Sequence, residues 1–322
     1  MGVKTGILSY ITGVFVLFLL TPQLAGAQYD AVFSQYSRLS PYYNPATVGG
    51  QKEWLTLTAS YHQQWIGMPG APANFILSGN TAIKFLERDH GVGITISGQK
   101  KGLFLHTQLS GAYAFLMPLW RGTLSIGVQG SFISSSFDGA GVFIPDGEGL
   151  SPNDPAIPLT RIGGKTLDAS VGISYRNKNI SVGIASQHLL QPEIRLNESH
   201  YFRLRRSYIV QAEYAIRPLD SQVSWHPSLF AISDLNSYRI DANLNIAYND
   251  KFFAGVMYRV LSAAGFNLGM RWSSFFVGYA FEMPTSELVR GNWGSHELLF
   301  SYLIPMNKKK NKSARSKSVR LL

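Results

Sequence analysis

Hydrophobic and polar residues alternate with a period of two along much of the chain. In the stretch 238–248, one face runs from Tyr238 to Tyr248 through aliphatic residues, and the other carries Arg239, Asp241 and Asn243. Because successive side chains of a strand point to opposite sides, this pattern predicts a strand with one apolar and one polar face. Tyrosines at both ends of the apolar face are typical of a strand that crosses a membrane. We therefore predict that Leu244, in the middle of this face, contacts lipid.

The same alternation recurs and predicts fourteen strands. They lie near 53–65, 72–84, 90–101, 103–117, 120–138, 165–176, 179–189, 200–216, 223–234, 236–249, 250–260, 263–272, 273–283 and 294–304. An even count is usual for a single-chain outer-membrane barrel. The long connections 139–164, 190–199 and 284–293 are the fifth, seventh and thirteenth, so they should share one end of the barrel. The predicted fold is all-β: an antiparallel transmembrane β-barrel of about 14 strands, of the outer-membrane type.

The composition supports a membrane barrel over a soluble domain. Charged residues make up 15% of the chain, against roughly 25% in typical globular domains. Aromatic residues make up 13%, and there are 31 glycines. Few charges and many aromatic residues, without a long apolar run after the N-terminus, are the features of a transmembrane β-barrel.

The N-terminus has the pattern of a secretory signal peptide. Lys4 precedes an apolar run from Ile7 to Leu20, and Ala25–Ala27 provides a small-residue cleavage site. The chain contains no cysteine, so no disulfide stabilises it. We therefore divide the sequence into a signal peptide (1–27), an N-terminal periplasmic segment packed at or in the barrel mouth (28–52), the barrel (53–304) and a basic periplasmic tail (305–322).

The segment that follows the signal peptide is rich in aromatic and turn-forming residues. Prolines and glycines between positions 41 and 50 argue against a regular helix or strand. Four aromatic side chains would supply a large buried area, with hydroxyl groups that can form hydrogen bonds. They are Phe33, Tyr36, Tyr42 and Tyr43. We expect the segment to be ordered, and we take these four residues as candidate contacts for a periplasmic partner.

The C-terminal tail carries most of the positive charge, +7 of the formal net charge of +10. Its basic residues include Lys308, Lys309, Lys310, Lys312 and Arg315, which are further candidate partner contacts, and it has no acidic residue. Two interpretations remain open: a disordered solubilising extension, or a periplasmic contact with an acidic surface. Because most of the positive charge is concentrated in the tail, the net charge does not indicate a nucleic-acid partner.

We find no motif for catalysis, metal binding or cofactor binding. The stretch "SHEL" at 295–298 is not a metalloprotease motif, because on a strand His296 and Glu297 face opposite ways. We therefore expect no catalytic, metal-binding or cofactor-binding residues and no enzymatic activity.

Four stretches together resemble the PorP/SprF family of outer-membrane proteins of the Bacteroidetes type IX secretion system. They are "FSQYSRLSPYYNPATVGG" from Phe33, "QQWIGMPGAPANFILSGN" from Gln63, "SVGIASQHLLQPEI" from Ser181 and "GSHELLFSYLI" from Gly294. They occur in the family's order and span nearly the whole mature chain. The chain departs from the family pattern at Thr47-Val48 and in its basic tail.

The resemblance implies an outer-membrane barrel that exports or anchors cargo or links the secretion and gliding machinery to the outer membrane. From the even strand count and the positions of the long connections, we expect both termini in the periplasm. Besides outer-membrane lipid, the implied partners are a periplasmic peptidoglycan-binding lipoprotein with an OmpA-like domain, the ring and motor subunits, and the C-terminal signal domain of a surface adhesin. The alternative function is an independent porin or a transporter of small hydrophobic molecules. A porin should have an open polar lumen, whereas an anchor should have a plugged or narrow one.

Overall fold

A computed structural model describes residues 30–31, 33–142 and 158–306. Within this range, fourteen strands close into one antiparallel barrel in which every strand pairs with two neighbours, as predicted. The barrel strands are β1 (Trp54–Gln63), β2 (Ala73–Phe85), β3 (Arg88–Lys101), β4 (Phe104–Leu119), β5 (Gly122–Asp138), β6 (Arg161–Arg176), β7 (Ile180–Gln187), β10 (Ser207–Tyr214), β11 (Val223–Ser233), β12 (Tyr238–Tyr248), β13 (Phe252–Arg259), β14 (Ala263–Trp272), β15 (Phe275–Pro284) and β16 (Ser295–Pro305). Ring closure is the pairing of β1 with β16.

The predicted strand 200–216 is wrong in its first half. A separate two-stranded sheet, outside the barrel, consists of β8 (Glu193–Arg195) and β9 (Tyr201–Arg203). Between β9 and β10, the Arg206 guanidinium donates a hydrogen bond to the Leu189 carbonyl oxygen. The chain therefore turns toward the preceding loop before it joins the barrel at Ser207.

The two faces of the barrel wall differ as the period of two predicts. On β12, Leu244 and Tyr248 are exposed on the outer surface at 39% and 48%, whereas Asp241 is 0% exposed. The outward residues of the other strands are likewise mostly aliphatic or aromatic, and the inward residues are polar, glycine or part of an internal core. An apolar outer band with a polar interior is the arrangement that a barrel in a lipid bilayer requires.

The two ends of the barrel carry different connections. The longest ones, 139–160, 188–206 and 285–294, lie at the same end, which we call the loop mouth. The opposite end, which we call the turn mouth, has short connections such as 86–87, 120–121 and 273–274. The barrel also begins and ends at the turn mouth, where the Met306 amide donates a hydrogen bond to the Glu53 carbonyl oxygen.

Among the described residues, helical structure is limited to short turns. Single turns of 3-10 helix occur at Tyr36–Leu39, Pro45–Thr47, Gly139–Gly141 and Glu287–Gly291, and one α-helical turn at Ser40–Tyr43. In the part of the chain that the structure describes, no helix has the length and apolar character needed to cross a membrane.

The outward orientation of Leu244 gives the first prediction. Replacing Leu244 with Arg places a charge in hydrocarbon and should lower the free energy of unfolding by about 2–4 kcal/mol. The matched control is Asn245→Arg, because Asn245 faces a cavity inside the barrel. Asn243 is not a suitable control, since its amide is hydrogen-bonded in the filled part of the interior. Denaturant titration of the barrel in detergent should show a large loss for Leu244→Arg only, and equal losses would contradict the assignment of the two faces.

Candidate functional site

Residues 33–50, which we call the plug, lie inside the barrel. Pro41 and Pro45 each occupy the first turn of a short helix, where a missing N–H costs nothing. Between the two turns, Asn44 is extended, and its side-chain oxygen accepts a hydrogen bond from the Ala46 amide. The plug is therefore a compact series of turns, as its prolines and glycines suggested, and not a further strand.

Aromatic rings of the plug form the core of the lumen. Tyr43 and Tyr36 lie against Phe230, with ring centroids 4.7 Å and 5.1 Å from it. The Tyr43 hydroxyl accepts a hydrogen bond of 2.9 Å from the Phe33 amide. Wall residues that share this core are Ile76, Ala185, Ile209, Phe230, Ile232, Phe276 and Leu299. Because β2, which carries Ile76, lies across the ring from β10 and β11, the plug is packed against opposite sides of the wall at this level.

A buried carboxylate of the wall binds the start of the plug. Glu297 on β16 is 1% exposed. It accepts hydrogen bonds from the Ser34 amide at 2.6 Å, and from the Gln35 amide and the Gln35 side chain at 3.3 Å. An isolated buried charge is costly unless donors surround it. The plug supplies most of these donors, so the conformation of residues 34–35 and the burial of Glu297 depend on each other.

Next to Glu297, four charged wall residues form one ion-pair network. Arg259 Nη1 lies 2.5 Å from Glu282 Oε2, and Arg259 Nε lies 3.0 Å from Asp241 Oδ1. Asp241 also pairs with Arg239 at 2.7 Å. The Ser34 hydroxyl donates a hydrogen bond to Glu282, and the Asn243 amide donates one to the Ser34 carbonyl oxygen.

The second half of the plug packs directly on glycines of the wall. The Asn44 side-chain amide donates hydrogen bonds of 3.2 Å to the carbonyl oxygens of Ile173 and Ile184. A Cβ atom at Gly172 would overlap the Asn44 amide oxygen, and a Cβ at Gly127 would overlap the peptide that joins Pro45 and Ala46. Glycine at these wall positions is therefore required by the close approach of the plug backbone.

At the loop mouth, a buried histidine holds the first described residues. His188 Nδ1 lies 2.5 Å from Asp168 Oδ2, and Nε2 lies 3.0 Å from Asp30 Oδ2. Burial alone would lower the pKa of His188, but the two carboxylates outweigh it and raise the pKa to about 10. His188 is therefore an imidazolium at neutral pH, and it fixes Asp30 in the lumen.

The described residues from Asp30 to Lys52, which include the plug, run from one mouth to the other. Asp30 lies at the loop mouth beside His188, and Lys52 pairs with Asp89 at 2.9 Å near the turn mouth. The sequence predicts that residues 28–52 pack at or in the barrel mouth, and the described residues of this range extend through the lumen. The described chain also begins and ends at opposite mouths, because Met306 lies at the turn mouth.

Between the plug and the turn mouth, the lumen contains a cavity of about 530 Å³, which we call the vestibule. It is lined by plug residues, Arg38 among them, and by residues of β1, β2, β6, β7 and β10–β16, together with the turns that join several of these strands. The lumen is therefore divided into a filled part and an open part.

The candidate partner contacts fall into two groups. Phe33, Tyr36, Tyr42 and Tyr43 are all buried, at 6% exposure or less, and in this structure they contact the plug and the wall. A partner could reach them only if the plug left the lumen. The tail residues Lys308, Lys309, Lys310, Lys312 and Arg315 lie outside the described residues, as does the predicted signal peptide.

Several residues that hold the plug were not among the candidates from sequence. Glu297, Asn44 and His188 all lie in the four stretches that carry the family resemblance, as does Gln187, which donates a hydrogen bond of 2.9 Å to the Tyr42 carbonyl oxygen. The stretch after Gln63 meets the stretch after Gly294 at the loop mouth, where the Ile66 amide donates to the Gly294 carbonyl oxygen. The four stretches, far apart in sequence, are therefore joined pairwise by contacts at the plug and at the loop mouth.

Comparisons with known proteins identify a family and several solved structures to which the chain is similar. A family model described as type IX secretion system membrane protein PorP/SprF matches residues 25–302. Solved structures similar to the chain include the Acinetobacter baumannii outer membrane protein Omp33, with a TM-score of 0.45 and 7% identity over 79% of this chain and 100% of that chain. The translocator domain of the autotransporter NalP from Neisseria meningitidis gives 0.42 and 9% over 83% of this chain and 94% of that chain. No curated protein matches significantly.

The contact between Gly127 and the plug gives the second prediction. Val at position 127 should force the Pro45–Ala46 peptide away from the wall, with an overpacking cost of about 1–3 kcal/mol. Gly130→Val on the same strand is the matched control, because no atom lies within 4 Å of a Cβ there. Chymotrypsin should cleave between Tyr36 and Tyr43 faster in Gly127→Val than in the wild-type protein or in Gly130→Val. Equal resistance of all three would show that the plug does not depend on this contact.

Proposed function

The chain belongs to the PorP/SprF family of type IX secretion system membrane proteins, and we propose that it serves that system as a plugged, non-enzymatic barrel that anchors other components to the outer membrane. The observation that carries this proposal is the occupied lumen. Residues 33–50 pack against opposite sides of the wall and bond to Glu297, Glu282 and the backbone of β6 and β7. A protein that conducts solutes on its own needs a continuous aqueous path, and the plug obstructs it.

The anchoring role is favoured over the porin alternative by the nature of the plug contacts. Displacing residues 34–35 would leave the Glu297 carboxylate without its amide donors in the barrel interior. Displacing the aromatic core would expose Phe33, Tyr36 and Tyr43, which are almost completely buried. These costs favour a plug that remains in place, so the barrel acts through its surfaces and its two mouths.

We infer that the turn mouth faces the periplasm. Outer-membrane barrels generally have short periplasmic turns and longer extracellular loops, and the short connections here share one mouth. In this orientation the vestibule opens toward the periplasm, and the basic tail starts on the periplasmic side. The loop mouth, with the connections 139–160, 188–206 and 285–294, then faces outward.

The periplasmic partners that fit this orientation are those implied by the family: the peptidoglycan-binding lipoprotein with an OmpA-like domain and the ring and motor subunits. A surface adhesin's C-terminal signal domain would instead meet the loop mouth. The tail could assist docking at the turn mouth, since its positive charge attracts an acidic surface over about one Debye length, or about 8 Å at physiological salt.

The occupied lumen gives the third prediction. In planar lipid bilayers the wild-type barrel should show no stable conductance steps, whereas a variant that lacks residues 33–50 should show them, because it retains all fourteen barrel strands. Gly127→Val should show intermittent opening, and Gly130→Val should be as silent as the wild type. Steady conductance by the wild-type protein would favour the porin alternative.

The fourth prediction concerns the tail. Truncation after Asn307 leaves all fourteen described barrel strands in place, so the barrel should still fold, as judged by its heat-dependent gel mobility. Recovery of periplasmic partners in a mild-detergent pull-down should fall, and the loss should be largest at low salt, because surface charges are screened at high salt. Equal recovery by both chains at every salt concentration would assign the tail a solubilising role only.

A further inference from the structure

The vestibule is strongly electropositive. Its lining includes five cationic residues, Arg38, Arg176, Lys178, Arg217 and Arg271, against two acidic ones, Glu213 and Asp250. Glu213 Oε1 is itself 3.5 Å from His226 Nδ1. The carboxylates therefore do not balance the positive charge of the cavity.

Three of the guanidinium groups form no direct ion pair in the described chain, although the Glu213 carboxylate acts electrostatically on Arg38 and Arg176. Arg38, Arg176 and Arg271 are half-buried, and none of the ion pairs among the described residues involves them. Arg38 lies over the Phe276 ring, and its Cζ is 3.5 Å from the centroid of that ring. The same Cζ is 4.8 Å from the centroid of the Phe253 ring. Arg271 Cζ lies 5.6 Å from the same Phe253 ring. Aromatic faces thus hold two like charges near each other.

This arrangement contrasts with the filled part of the lumen. There, Arg239 and Arg259 are bonded to Asp241 and Glu282. In the vestibule, Arg271 Nε and Gln211 Nε2 are buried without a hydrogen-bond partner among the described atoms. Burial and the nearby Arg271 guanidinium lower the pKa of Arg38, and the Glu213 carboxylate opposes this shift only in part. Guanidinium groups that are oriented but unpaired are suited to carboxylates, which they can bind in a bidentate way.

The geometry restricts what can enter the vestibule. All fourteen strands are paired around the ring, so a lipid cannot reach the vestibule sideways from the bilayer. The plug obstructs access from the loop mouth, and about 530 Å³ is too small for a folded domain. An extended chain that enters from the turn mouth meets none of these obstacles. The basic C-terminal tail starts at the same mouth, but its charge repels it from these arginines.

We propose that the vestibule binds an extended acidic peptide segment of a partner protein, with Arg38, Arg176 and Arg271 as its carboxylate-binding groups. The inference rests on the proposed function, because it gives the chemistry by which the anchor holds a component at its turn mouth. Lys178 and Arg217, which are exposed at the rim, would guide the segment inward without making the main contacts.

The test uses the full-length protein in mild detergent and a fluorescein-labelled hexaglutamate peptide, with fluorescence anisotropy as the readout. We expect saturable binding that weakens with salt, and no binding of hexaglutamine or hexalysine. Arg176→Gln/Arg271→Gln should weaken the affinity by roughly tenfold for each arginine removed. Arg195→Gln/Arg203→Gln is the matched control, because these two arginines lie on the β8–β9 sheet at the loop mouth and are well exposed.

A second variant keeps the test valid if the double substitution prevents folding. Lys178→Gln/Arg217→Gln at the exposed rim should cause a smaller loss, up to about fivefold. Truncation after Asn307 should leave most of the binding intact. Three outcomes would overturn the proposal: unchanged affinity in both vestibule variants, loss of binding on truncation alone, or displacement of the peptide by inorganic phosphate at equal charge, which would indicate a small-anion site.

The outcomes also separate this inference from the proposed function. If hexaglutamate does not bind but the barrel is silent in bilayers and recovers partners, the anchor uses another surface and only the vestibule proposal fails. If the wild-type barrel conducts steadily, the anchoring role itself fails whatever the peptide result.

Discussion

The structure depends on one constraint: hydrocarbon offers no hydrogen-bond partner to the backbone. Each N–H and C=O group within a membrane must find its partner inside the protein, and for strands this requires a ring without free edges. The pairing of β1 with β16 completes that ring. Closure then decides which way each side chain faces, so Leu244 meets lipid and Asp241, three residues earlier, meets the interior. Polar groups in the interior must in turn be solvated by water or bonded to other protein groups. The plug forms hydrogen bonds with several of them.

The plug and the wall each supply what the other lacks. The buried Glu297 carboxylate needs hydrogen-bond donors. The amides of Ser34 and Gln35 supply them, because this segment is a series of turns and these amides have no partner in a helix or strand. Asn44 uses its side-chain amide in the same way on carbonyl oxygens of β6 and β7. Glycines such as Gly127 and Gly172 remove the side chains that would otherwise keep the plug backbone away from the wall. Hydrogen bonding, packing and the placement of glycines in the wall thus all favour the position of the plug inside the barrel.

The sequence predicts most of the barrel and little of the plug's path, for a physical reason. Strand position and facing follow from alternation between neighbouring residues, which is local, and so the outward face of β12 was predictable. The strand predicted at 200–216 is divided because Arg206 turns toward Leu189, a contact that alternation does not encode. The bond from Ser34 to Glu297 joins residues 263 positions apart. Ser34 and Glu297 both lie in stretches that resemble the family, but only the fold brings these two stretches together. The fold also shows that Phe33 and Tyr43 contact the barrel wall and not a partner.

The distribution of charge along the lumen assigns different tasks to its two parts. Near the loop mouth, His188 with Asp30 and Asp168, and Arg259 with Asp241 and Glu282, are ion pairs within the protein. Breaking one partner of a buried pair is costly, so these pairs resist exchange with an outside ligand. The pair of His188 with Asp30 also favours retention of the N-terminal segment in the lumen. Near the turn mouth, Arg38 and Arg271 are positioned by an aromatic ring, and neither forms a direct ion pair in the described chain. An incoming carboxylate there would displace no internal partner, so its binding does not have to compete with the contacts that hold the plug. One lumen can therefore be closed to passage and still be available for recognition.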